Sequence, residues 1–143
     1  MFFLGILTAN AQEQDNSNSA MISKLIKTAP IELFGSTTEV MCGSNFVYLG
    51  EVTTANKEVY QLATFYIKLG KACKQTSRIL IYDGESHYLG NFSYKSEILP
   101  TGIDKDAITG EGFPRTNLSK GIPKSISITP KVLVKFEKAA PKK

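Results

Sequence analysis

Residues 59–69 read VYQLATFYIKL, and two periodicities fit them. Val59, Leu62, Ala63, Tyr66 and Leu69 would form the apolar stripe of a helix. Val59, Tyr60, Thr64, Phe65, Tyr66 and Ile67 are strand formers, six of the eleven positions. A helix over 57–72 would pack on an antiparallel sheet and make the fold α+β. A strand would make it all-β, an antiparallel meander of six to eight short strands forming a small sandwich or partly open barrel. The surroundings favour the strand, because the stretch follows another strand across a short polar turn at 54–58.

That preceding strand is residues 45–54, NFVYLGEVTT. Phe46, Tyr48, Gly50 and Val52 alternate with Asn45, Glu51 and Thr53, the period of two that marks a strand. On the other side, residues 70–77 read as a basic loop holding Cys73. Residues 78–83, RILIYD, then set Ile79 and Ile81 against Leu80 and Tyr82. A strand apolar on both faces is central and covered twice. Asp83-Gly84-Glu85-Ser86 signals a tight turn. In the return strand, 87–95, Tyr88, Gly90, Phe92 and Tyr94 share a face. Tyr48-Leu49-Gly50 recurs as Tyr88-Leu89-Gly90. The echo predicts two equivalent strands of one curved sheet, each with its Tyr and Gly on one face and a bulky neighbour over the glycine.

Farther out the pattern weakens. Residues 31–34 and 38–41 are candidate short strands. From 100 to 121 glycines and Pro114 break every period, which predicts one long loop with a helical turn near Asp104. Residues 123–129 and 132–136 resume strand character around Pro130.

The first eleven residues read MFFLGILTANA. Phe2 to Leu7 form a short apolar core, and Ala9-Asn10-Ala11 fits a small-x-small cleavage pattern. The segment resembles the end of a secretory signal cut before Gln12, although no Lys or Arg precedes the apolar core. The expected organisation is an export signal at 1–11, a polar linker at 12–27, one β-rich domain at 28–137 and a disordered tail at 138–143. The expected location is periplasmic or secreted. Cys42 and Cys73 are the only cysteines. In an oxidising compartment they are expected to form one disulfide. No apolar run reaches the ~18 residues of a membrane-spanning helix.

The chain carries 17 basic and 13 acidic residues, a formal charge of +4. Arg78 and Arg115 are the only arginines, and nucleic-acid readers lean on arginine for bidentate contacts. The lysines are spread along the chain apart from the cluster Lys68, Lys71, Lys74 and Arg78. Nucleic acid is therefore not an expected partner.

Catalytic chemistry has little to work with. His87 is the sole imidazole, and a pairing with Asp83 at a turn is the nearest approach to an acid–base unit. Asp104, Asp106 and Glu111 hint at a calcium loop, but Ile108 stands where an oxygen ligand is wanted. No metal and no cofactor are expected. The expected function is non-catalytic binding of another protein in the cell envelope or outside the cell. Phe113 beside Arg115 has the composition of an interface anchor on the long loop. The first alternative is a carrier whose barrel interior, lined by Tyr48, Tyr88 and Phe92, holds a small apolar ligand. The second is a weak hydrolase.

Overall fold

Val59–Leu69 is extended along its whole length in the computed structural model, which describes residues 19–35 and 40–139. The expected export signal, the linker up to residue 18 and the tail from 140 lie outside the described residues. Leu62 and Ala63 are both fully buried, although neighbours on a strand point to opposite faces. The helical stripe arose because this strand is covered on both sides.

The described strands, in chain order, are β1 (Met41–Thr53), β2 (Val59–Leu69), β3 (Lys74–Asp83), β4 (Tyr88–Tyr94), β5 (Gly102–Asp104), β6 (Ala107–Gly110), β7 (Phe113–Asn117), β8 (Ser125–Thr129) and β9 (Val132–Lys138). Six of them form one sheet in the order β1-β2-β3-β4-β9-β8, and β5-β6-β7 form a second. Every pairing is antiparallel. The two sheets make a sandwich-like meander and not a closed barrel, as the all-β reading anticipated.

One face of the large sheet carries Val52, Leu62, Ile79, Ile81 and Phe92. These pack with Ile108, Phe113 and Leu118 from the second sheet and its exit. The other face carries Ala63, Phe65, Ile67, Leu80 and Tyr82, covered by Leu25 and Ala29. The cover on that side comes from a helix, α1, at residues 19–28. Met21, Leu25 and Ala29 recur every four residues and so share one side of it. Most of α1 falls where a polar linker was expected, and Leu25 is fully buried. The reason is that this apolar row is short and sparse, yet it has a sheet to lie on.

Ile31–Phe34 is one turn of 3-10 helix rather than a strand. The Leu33 N–H donates to the Pro30 carbonyl at 3.1 Å, and the Phe34 ring packs edge-on against Phe65 with centroids 4.9 Å apart. The loop expected at 70–77 shrinks to four residues, since Leu69 already pairs with Lys74. Lys138, expected in the tail, ends β9, and the Ala139 N–H donates to the Leu89 carbonyl at 2.9 Å.

Both Tyr-Leu-Gly copies are β-bulges. In β1, Tyr48 pairs with Ala63 and Gly50 with Leu62, so Leu49 is an extra residue. In β4, Tyr88 pairs with Tyr82 and Gly90 with Ile81, so Leu89 is extra. One extra residue sends the rest of the strand's side chains to the opposite face. The faces expected from strict alternation are corrected accordingly. Tyr48 and Tyr88 pack on the α1 side, whereas Leu49, Leu89, Val52 and Phe92 face the second sheet.

The expected long loop at 100–121 is instead the three-stranded sheet β5-β6-β7. Its first hairpin turns through Lys105 and Asp106, both at positive φ (47° and 64°). That is the backbone of a two-residue type I′ turn, which sequences usually mark with Asn-Gly or Asp-Gly.

Candidate functional site

Cys42 and Cys73 form the expected disulfide, with Cα atoms 5.7 Å apart. It ties the start of β1 to the turn between β2 and β3. The other residues singled out in the sequence separate when placed on the fold.

Phe113 is not an exposed anchor. It is 6% exposed and belongs to the core between the sheets, because β7 points it inward. Arg115 lies on the surface and is engaged within the second sheet. Its Nη1 donates to the Asp104 carboxylate at 2.9 Å and its Nη2 to the Asp104 carbonyl at 3.0 Å. The composition of an anchor on a loop is here a core residue and a cross-sheet clamp on strands. Asp104, one of the hinted calcium ligands, is thereby committed to a guanidinium.

The aromatic lining proposed for a barrel is also divided. Tyr48 and Tyr88 pack with the α1 layer and Phe92 with the second sheet, since each bulge reverses the alternation. The Tyr48 hydroxyl donates to Gln61 Oε1, whose Nε2 donates to Glu51 at 3.2 Å. Burial, and then the Glu51 charge, push the Tyr48 phenol up from its ordinary value. The Asn91 amide donates to the Tyr88 hydroxyl at 2.6 Å. An apolar cavity of about 530 Å³ opens elsewhere, between Tyr60, Leu89, Ile122 and Phe136. Tyr88 is the one member of the expected lining that reaches it.

His87 Nδ1 lies 3.2 Å from Asp83 Oδ2 on the exposed β3–β4 turn. Asp83 Oδ1 also accepts the backbone N–H groups of Glu85 and His87, each at 2.9 Å. Burial acts to raise the Asp83 carboxyl, but these donors outweigh it and hold it below the usual carboxylate range. The carboxylate closes a turn, as Asp does in such positions.

The feature that sequence reasoning missed is an edge. β1 is 13 residues long and pairs only with β2. No other described strand pairs with its outer side. From Met41 to Gly50 it carries no charged residue and no proline. Val47 is 39% and Met41 51% exposed. Folded proteins usually blunt such an edge with lysine, proline or a very short strand. The opposite edge, β8, has those devices. It is five residues long and lies between Pro123-Lys124 and Pro130-Lys131. The signal was present in the sequence as ten uncharged residues in a strand, but only the pairing order shows that the strand is an edge.

Comparisons with protein-family models, with curated proteins and with solved structures found no match to this chain. Among the described residues no helix is long and apolar enough to cross a membrane.

Proposed function

We propose that the chain is an exported, non-catalytic domain that binds another protein of the cell envelope or extracellular space by strand addition at β1. The observation that carries the reading is the contrast between the two edges: β8 is blunted and β1 is not. An extended segment that added to β1 would gain main-chain hydrogen bonds along its length and side-chain contacts at alternate positions. The Cys42–Cys73 disulfide, which fixes the start of the strand, supports both a preorganised edge and an oxidising location. A formal charge of +4 sets two copies of the chain against each other and favours a neutral or acidic segment.

The test places a photo-crosslinking side chain at Val47 or at Ser127, one on each edge, in the native cell. A discrete adduct with a second protein at position 47, absent at 127 and lost when Asn45→Lys is added, is the expected result. Adducts at both edges, at 127 alone, or only between two copies of the chain would contradict the proposal.

A further inference from the structure

The large sheet ends, beside the disulfide, in a cavity of about 680 Å³. Its wall is built from three parts of the chain: Lys71 on the β2–β3 turn, Lys74, Thr76 and Arg78 on β3, and Lys95 just past β4. The sequence shows Lys71, Lys74 and Arg78 as a cluster. Lys95 joins them because β4 runs antiparallel beside β3, with Ser77 opposite Tyr94. Lys68, the fourth member of the sequence cluster, does not line this cavity and sits 5.9 Å from the Tyr66 ring centroid.

No carboxylate lines this cavity. Among the described residues none of its four cations forms an ion pair, since the salt bridges involve only His87 and Arg115. Glu97 borders a neighbouring cavity with Lys74 and Lys95 but is not bridged to either. Glu137 acts on Arg78 from outside the lining, and the remaining positive charge around one volume draws anions to it. Arg78 is the least exposed of the four cations. Its Nη1 donates to Ser93 Oγ at 3.2 Å, while its Nε is buried with no partner. A buried donor of a charged group left unpaired is costly. The Lys95 ammonium donates to Thr76 Oγ1 at 2.7 Å, which leaves two of its N–H donors and the Thr76 hydroxyl proton for a guest.

We infer that this groove is a binding site for a phosphate group. A phosphate offers several acceptor oxygens and up to two negative charges to one guanidinium and three ammoniums. A carboxylate, with one charge, leaves most of the cations unmatched. The site goes beyond strand addition and stands apart from it, because none of these residues belongs to β1. The phosphate can belong to a soluble molecule or to a lipid headgroup, and the test separates these sources.

Disulfide-intact protein is titrated calorimetrically with inorganic pyrophosphate at low salt. In parallel it is sedimented with phosphatidylcholine vesicles with and without phosphatidylglycerol. The variant Lys74→Ala/Lys95→Ala is compared with Lys120→Ala/Lys131→Ala, which removes the same charge from exposed positions outside the groove. All four lysines are exposed, and melting midpoints check that both variants fold. The expected result is a loss of about tenfold or more in affinity for the groove variant and roughly unchanged binding for the control. Pyrophosphate binding without vesicle binding supports a soluble phosphate ligand, and vesicle binding dependent on phosphatidylglycerol supports a headgroup. Binding of neither probe, or an equal loss in both variants, would overturn the site.

Discussion

β1 and β4 carry the same Tyr-Leu-Gly sequence, the same bulge and the same kind of glycine, at φ 134° for Gly50 and 157° for Gly90. They differ in their neighbours. β4 lies between β3 and β9, whereas β1 has β2 on one side and no described strand on the other. The difference is written at the glycines. A Cβ on Gly90 would lie 2.4 Å from the Glu137 carbonyl oxygen and 2.5 Å from the Phe136 ring. A Cβ on Gly50 would meet only Ile103, at 3.4 Å. The short motif sets the local bulge, and β9, from far along the chain, decides which copy becomes interior.

Adding a methyl group to each glycine should separate the two strands most. Gly90→Ala is expected to cost about 4 kcal/mol, since backbone strain adds to a clash with backbone that cannot move without parting β4 from β9. Gly50→Ala should cost about 1–2 kcal/mol, mostly the strain of a positive φ. Urea unfolding of both variants measures the difference. Equal costs would mean that the two bulges are not covered differently.

The second effect concerns how each strand is held. β9 braces β4, whereas the disulfide braces the start of β1. Replacing both cysteines by alanine should cost about 3–4 kcal/mol for a bridge of sequence separation 31. The loss should appear first as faster exchange at the start of β1, with β4 unchanged.

Val47→Lys comes third. It puts a charge on the open edge, where it should change stability by no more than about 0.5 kcal/mol while removing partner binding. A large fall in melting temperature would show that Val47 is needed for folding.

The smallest effect separates the two hairpin turns by pH. After β1, the Thr54 hydroxyl accepts the Glu58 N–H at 3.1 Å and does not titrate. Before β4, the Asp83 carboxylate accepts two backbone N–H groups. Its folded pKa lies below the ordinary value. Its contribution is therefore present above the ordinary aspartate pKa and fades as pH falls through the lowered one. Asp83→Asn should flatten this acid-side loss slightly, while Thr54→Val should leave its pH dependence unchanged. Paired melts between pH 2 and 6 read the difference.

The hairpin at 78–95 and the strand at 59–69 were legible because burial on each face leaves its own apolar row. The faces of β1 and β4 were not, because counting by twos carries no sign of an extra residue. Tyr48 and Tyr88 look continuous with Val52 and Phe92 until Ala63 and Tyr82 fix the register. The second sheet was hidden by strands of three to five residues and by a turn made of Lys105 and Asp106. Phe113 was misplaced with it, since a lone aromatic among glycines gives no period. The disulfide needed only an even cysteine count and the expectation of an oxidising compartment. Three of the groove's four cations stood together in the chain, whereas Lys95 required knowledge of strand pairing. The uncharged run of 41–50 stood in the sequence, but that it forms an open edge follows only from the strand order.

Amide hydrogen exchange over residues 43–49, alone and with the crosslinked partner purified as a complex, decides whether β1 takes up an added strand. In the free chain, alternate amides that face β2 should exchange slowly and those facing outward quickly. In the complex the fast set should become protected while β8 keeps its free-state pattern. Uniform protection of β1 in the free chain, or outward amides that stay fast in the complex, would contradict strand addition.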